Sequence, residues 1–229
     1  MPETLSHSSL HRVILENIIA NGYAPSVVEL SEHFGVAEAD ARAALRALQD
    51  YHGVVLHPHN DEVWVIHPFS LAPTNFLVIK AEQKWWGNCA WCSLGVAALL
   101  GGNVSIRTTL GANGQQVTLR IEDGELLDTK YYIHFPVPMT SAWDNVIYTC
   151  STMLLFDNEA AIDTWAARHR IPRGDVRPVS QVWAFAKAWY GKHLDPQWKK
   201  WTTEEAKALF EQFGLSGPIW DIPVSESRF

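Results

Sequence analysis

Cysteine is scarce in this 229-residue chain: there are three, an odd number. A small secreted domain pairs its cysteines, so a disulfide scaffold is excluded and reduced thiols are expected. Long apolar runs are missing too, and none approaches the roughly 18 residues that a membrane-spanning helix needs. The first ten residues carry neither a basic nor an apolar stretch. No secretory leader is therefore expected, and the expected location is cytoplasmic, with no membrane partner. Lysine is absent from residues 1–70. There is no Gly-x-Ser-x-Gly elbow, no phosphate loop, no internal repeat and no low-complexity stretch, which removes support for Ser/His/Asp catalysis and nucleotide handling. What the chain does contain is 47% hydrophobic against 19% charged residues, ample for a core, and eleven tryptophans. Its length suits one large domain or two small ones.

The first 70 residues read as one unit. Leu10, Val13, Ile14, Ile18 and Ile19 recur at helical spacing before Gly22. Ser26 is placed to cap a short helix that Gly35 stops. A third helix follows over residues 37–51, with Ala41, Ala44, Leu45 and Leu48 on one face. Two strands, residues 54–57 and 63–67, turn at His59-Asn60-Asp61, completing a winged-helix pattern. Such a pattern suggests DNA binding, but the charge opposes it. Three arginines face nine carboxylates in this unit, a net charge of −6. DNA affinity rests mainly on neutralising phosphates, so a nucleic-acid partner is not expected.

Residues 68–73 read as a linker or crossover, and a second unit runs over 75–229. Strands are expected at 76–79, 105–109, 116–121, 131–135 and 146–156, with a buried helix over 89–100. Three helices close the chain, at 159–169, 179–193 and 204–213. The last is announced by a Thr202/Glu205 capping box and ended by Gly214. The fold class is thus α+β: an N-terminal winged-helix-like module (1–70) and a C-terminal mixed-sheet domain with helices (75–229).

The sharpest chemical feature is Cys89-Ala90-Trp91-Cys92. Two thiols at a helix start gain from its dipole and free N–H groups, which lower thiol pKa. The spacing also lets both sulfurs reach one metal ion or form a disulfide. Cys150 falls on the expected 146–156 strand, on one side with Tyr148 and Thr152; a lone cysteine there also suits a small buried hydrophobe. A fourth metal ligand could come from His134 or His169, although neither has diagnostic spacing. His57, His59 and His67 lie around the wing, where they could make a surface metal site. Trp85, Trp86 and Trp91 flank the cysteines and could wall an apolar pocket. Trp183, Trp189, Trp198, Trp201 and Trp220 suit helix packing.

The segments His67-Pro68-Phe69-Ser70-Leu71-Ala72-Pro73-Thr74 and Asn88-Cys89-Ala90-Trp91-Cys92-Ser93-Leu94-Gly95-Val96 resemble the alkylmercury (organomercurial) lyase family. Cys150, about sixty residues beyond Cys89, takes the place of that family's second cysteine. The Trp165 helix, the closing Gly214-Leu215-Ser216-Gly217-Pro218-Ile219-Trp220 and the acidic N-terminal unit are similar as well. The resemblance implies that Cys89 and Cys150 are the catalytic thiols. It also implies an aspartate three positions after the first, as the proton-handling group, where this chain carries Cys92.

Mercury is soft and prefers thiolates. Two thiolates on the metal enrich the attached carbon in electrons, and a nearby acid protonates it, releasing a hydrocarbon and Hg(II). The resemblance therefore implies a protein that binds a soft organometal through Cys89, Cys92 and Cys150 and cleaves the carbon–metal bond. Cys92 would serve as third ligand or proton donor, and Trp86 and Trp91 as pocket walls. No cofactor is required; Hg(II) or another soft metal is substrate and product. Two other readings stand beside it. One is a non-enzymatic thiolate binder or metal-responsive regulator; the other is a lyase-fold enzyme that uses the Cys pair on a different small molecule. The sequence leaves the oligomeric state open.

Overall fold

Local capping chemistry starts the first, second and last helices of the chain where the sequence places them. In a computed structural model, which describes residues 3–225, helix α1 (His7–Asn21) opens on Ser6 and Ser9, whose side chains bond each other's backbone N–H groups. It closes on Gly22 at a φ of 83°, a left-handed conformation that glycine adopts without strain. Helix α2 (Val27–Phe34) opens on the Ser26/Glu29 capping box and stops at Gly35. Helix α3 (Glu38–Asp50) follows. Leu10, Ile14, Ile18, Leu30, Phe34, Leu45 and Leu48 are buried in the N-terminal part of the core, each worth roughly 1.5–3 kcal/mol when fully buried. Residues 1–2 and 226–229, at the outer ends of the two expected units, lie outside the described residues.

Strands β1 (Val55–Leu56) and β2 (Val63–Ile66) form the expected hairpin. The next segment, 68–73, differs from the linker reading. It contains β3 (Phe69–Ser70), which pairs with β2 on one side and with β5 (Gln83–Gly87) on the other. The hairpin thereby becomes one end of an eight-stranded sheet. Its other members are β4 (Phe76–Lys80), β6 (Val104–Thr109), β7 (Gln116–Glu122) and β8 (Glu125–Leu126), in the order β1-β2-β3-β5-β4-β6-β7-β8. Every pairing is antiparallel, where a mixed sheet is expected from the sequence. The reason lies in the connection β5–α4–β6. Its strands run parallel to each other, but β4 inserts between them and is antiparallel to both.

Helix α4 (Ala90–Leu100) lies on this sheet, with residues 90–97 all buried. Gly87 and Gly95 permit its close packing. A Cβ on Gly87 would come within 2.6 Å of the Ser93 Cα, and one on Gly95 within 2.3 Å of the Tyr190 ring. A second sheet has the order β10-β9-β11, formed by β9 (Tyr132–Phe135), β10 (Leu155–Phe156) and β11 (Asp175–Pro178).

The expected strand over 146–156 is corrected: most of it is helix α5 (Val146–Thr152), and only Leu155 and Phe156 are strand. The β-branched run favours a strand, but local bonds decide otherwise. Asn145 caps the helix by accepting the Tyr148 N–H at 2.9 Å, and the Thr152 hydroxyl donates to the Tyr148 and Thr149 carbonyls. Three helices complete the chain: α6 (Glu159–His169), α7 (Val179–Tyr190) and α8 (Thr203–Gln212). The Thr202/Glu205 capping box opens α8 as expected. Among the described residues, no helix is long and apolar enough to cross a membrane.

Candidate active site

Three stretches of backbone meet beside the start of α4. The Asn88 N–H donates to the Pro68 carbonyl at 3.1 Å, and the Ala90 N–H to the Met153 carbonyl at 3.1 Å. These two bonds bring residue 67, residues 88–92 and the C-terminal end of α5 together. Cys89 is the N-cap of α4: its Sγ accepts the Cys92 N–H at 3.2 Å and lies 3.1 Å from the Cys92 Sγ. Cys150 projects from α5 towards the pair, its Sγ within 4.8 Å of the Cys92 Sγ. All three cysteines are free and buried. Had residues 146–152 been a strand, Tyr148, Cys150 and Thr152 would share one side; in the helix Cys150 is buried and Tyr148 exposed.

Further groups complete the site. The His67 Nε2 lies 3.8 Å from the Cys150 Sγ and 3.3 Å from the Asn88 Nδ2. The Tyr190 hydroxyl of α7 is 3.6 Å from the Cys92 Sγ, and the Met153 Sδ is 3.4 Å from the Cys89 Sγ. Around the thiols lies a cavity of about 50 Å³, walled by Trp91, Trp143, Trp189 and Met139 among others, with His193 and Lys200 also on its lining. Trp91 therefore stands where the sequence suggests. Trp86 does not: it sits beside Ser70 and Leu77 in strand register, one position from buried Trp85, and is not part of the cavity wall. Strand alternation is the reason, since neighbouring residues face opposite sides of a sheet. Trp85 instead ties α1 to the sheet, its Nε1 donating to the Ile18 carbonyl at 2.8 Å.

The expected histidines also redistribute. His134 bonds the Arg173 carbonyl at 2.7 Å, and His169 packs on Trp165; neither lines the thiol cavity. His57 and His59 stay together near the wing, with ring centroids 5.6 Å apart, while His67 joins the thiols. Tyr190, Trp143, His193 and Lys200 are site residues that the sequence reading missed, and His67, which it grouped with His57 and His59 in a surface metal site, belongs to the thiol cavity. Only His67 had a usable signal, as the first residue of the His-Pro-Phe-Ser segment.

The thiols do not share charge evenly. Burial raises the Cys89 thiol well above its ordinary range. Hydrogen bonds to Cys89 and Cys92, then burial, raise Cys150 likewise. Burial opposes ionisation of Cys92 as well, yet hydrogen bonds from Cys150 and Cys89, proximity to His67 and the Tyr190 hydroxyl outweigh it and bring Cys92 well below the ordinary thiol range. Within this coupled set the proton is held more firmly by Cys89 and Cys150 than by Cys92. Burial lowers the His67 pKa. It brings His193 down to about 3 and Lys200 to about 7.

A site of three converging thiols on an α+β frame defines a soft-metal thiol protein. The family described as alkylmercury lyase matches residues 69–191, more than half of the sequence, and the chain belongs to that family. The crystal structure of the mercury-bound form of MerB2 is similar in fold, with a TM-score of 0.68. Its sequence is 17% identical, over 82% of this chain and 91% of that one. No curated protein matches the chain.

Proposed function

We propose that the protein cleaves the carbon–mercury bond of small organomercurials by protonolysis. The observation that carries this reading is the convergence of Cys89, Cys92 and Cys150 in a buried, tryptophan-walled cavity. Family membership and the fold shared with mercury-bound MerB2 support it.

The chemistry balances with the chain's own groups. The Cys92 thiolate forms a sulfur–mercury bond and displaces the exchangeable ligand of the organomercurial. The carbon–mercury electron pair then takes the proton of the Cys150 thiol, releasing the hydrocarbon. The Cys150 sulfur, left as thiolate, closes the second bond to Hg(II), and solution thiols carry the metal away. Cys89 donates to the Cys92 sulfur and serves as a third ligand. The proton source is then the Cys150 thiol, and Cys92, at the position where the family's pattern places its proton-handling carboxylate, attacks the metal. A short alkyl group fits best, because about 50 Å³ is well below the roughly 150 Å³ of a cavity known to take up benzene.

We read the helices of residues 1–70 as a cover for this site, next to the thiol-bearing unit of residues 75–229, and not as a DNA reader. His11 of α1 stacks on Trp198 with ring centroids 3.5 Å apart, beside His193 of the cavity lining. Arg42 and Arg46 of α3 are engaged by Asp61, which leaves little charge for phosphates.

The test is incubation of the full chain with methylmercury and excess thiol, with headspace measurement of methane. Release above the thiol-only control supports the lyase reading. Tight one-to-one mercury binding by folded protein without methane overturns it in favour of a soft-metal binder.

A further inference from the structure

The mechanism above uses sulfur alone, and His67 has no part in it. Yet the His67 Nε2, the Cys92 Sγ and the Cys150 Sγ all lie within 4.8 Å of one another. The Nε2 to Cys150 Sγ distance is 3.8 Å. Four-coordinate zinc, with Zn–S near 2.3 Å and Zn–N near 2.0–2.1 Å, sets its ligand atoms about 3.5–3.8 Å apart. The three atoms need only a small contraction to reach that spacing. The Asn88 amide nitrogen, 3.3 Å from the Nε2, can only donate. The nitrogen therefore accepts, and the imidazole stands in the neutral form that metals bind. Cys89, whose sulfur is 3.1 Å from that of Cys92, borders this set of three ligands.

We infer that His67, Cys92 and Cys150 form a site for a zinc-class divalent ion, which competes with the organomercurial for the same two sulfurs. The donor set selects the ion. Two thiolates suffice for soft Hg(II), whereas an added imidazole suits the borderline ions, and zinc is common to thiolate and imidazole preferences. Binding replaces the sulfur-bound protons by Zn–S bonds and releases them to solvent, with no change in oxidation state. The inference does not depend on turnover. A protein that binds mercury without cleaving carbon–mercury bonds would hold zinc equally well.

The experiment is anaerobic titration of the metal-free full chain with Co(II), then Zn(II), under a non-thiol reductant. One equivalent of Co(II) should give thiolate charge-transfer absorption and the strong visible bands of a tetrahedral ion, and Zn(II) should abolish both. His67→Gln should lower Zn(II) affinity at least tenfold while one-to-one Hg(II) binding through the sulfurs persists, which reports intact folding. In wild-type protein labelled with 15N-histidine, Zn(II) should shift the His67 ring nitrogen, a readout that needs no variant. Absence of a tetrahedral Co(II) spectrum, unchanged Zn(II) affinity in folded His67→Gln, or an unshifted His67 nitrogen would each overturn the site.

Discussion

Cys89 caps the helix whose first turn carries Cys92, so that one sulfur accepts the other's N–H at 3.2 Å while the two sulfurs sit 3.1 Å apart. This contact ties the spacing of the motif to its chemistry. A side chain three residues into a helix faces the N-cap, and here both carry sulfur. The arrangement holds negative charge at the helix N-terminus, where the dipole favours it.

The first prediction concerns that pair. Cys92→Asp keeps an anion and a proton-handling group in the first turn of α4, passes the attack on mercury to the adjacent Cys89 thiol and removes one soft metal ligand. If mercury release limits turnover, each 1.4 kcal/mol of lost sulfur–metal affinity speeds release about tenfold. Steady-state hydrocarbon production by Cys92→Asp should therefore exceed wild type. Cys150→Ser removes the proton source and should lower single-turnover cleavage by at least about a hundredfold. Quenched-flow measurement of hydrocarbon against bound mercury separates the two steps. An unchanged burst in Cys150→Ser would refute the assigned proton path.

Much of this fold was legible because its punctuation is local. Ser26 with Glu29, Thr202 with Glu205, and Gly22 and Gly35 define helix ends through bonds within a few residues. The motif at Cys89 was legible for the same reason. The strand expected around Cys150 failed because β-branched residues fit both states, and Asn145 settles the choice through a single cap. Trp86 failed as a pocket wall because the 83–87 strand, whose alternation excludes it, was not foreseen. His67, Tyr190 and Lys200 reach the thiols from separate elements, and no sequence spacing encodes such long-range convergence.

The second prediction tests the packing that delivers Tyr190. On α4, Gly95→Ala would place a Cβ 2.3 Å from the Tyr190 ring. Overpacking of this kind costs typically 1–3 kcal/mol, outweighing the roughly 1 kcal/mol that alanine gains over glycine in a helix. Chemical denaturation should show net destabilisation of about 1–2 kcal/mol, the displaced ring drawing its hydroxyl away from the Cys92 sulfur. Loss of that donor slows alkylation of Cys92 at neutral pH, and Tyr190→Phe should reproduce the slower alkylation with little loss of stability. Equal alkylation rates in all three proteins would show that the phenol does not support the thiolate.

The third prediction follows from buried cations. Lys200, held near pKa 7 by burial against an ordinary 10.5, takes up its proton later in the folded than in the unfolded chain as pH falls. Its penalty is absent above about pH 10.5, grows as pH falls to 7 and is constant below. At 1.36 kcal/mol per pH unit the ceiling is about 5 kcal/mol, reduced by the contact of its ammonium with the Trp143 ring at 4.2 Å. Lys200→Met should stabilise the protein by a few kcal/mol at pH 7 and flatten the rise in stability between pH 7 and 10. His193, with its pKa at about 3 against 6.5, acts in the acid range: stability is lost as pH falls from about 6.5 towards 3. His193→Gln should remove part of that loss. Urea midpoints measured from pH 4 to 10 check both, and parallel curves for variants and wild type would refute them.

The last prediction concerns substrate size. Trp143 is half-buried at the cavity edge, stacked on His52 with ring centroids 4.6 Å apart and edge-on to His67 at 5.1 Å. It is the large wall side chain most able to yield, because Trp91 and Trp189 are locked among Phe185, Tyr190 and Phe210. With a cavity of about 50 Å³, methylmercury should be cleaved with a higher kcat/KM than phenylmercury. Trp143→Ala opens the wall without touching a sulfur and should raise kcat/KM for phenylmercury by about tenfold, the range expected for one or two methylene equivalents of pocket space. The methylmercury value should change less. A uniform change in both substrates would mean that Trp143 supports the site without shaping it, and preference for phenylmercury in the wild type would show that the cavity opens before binding.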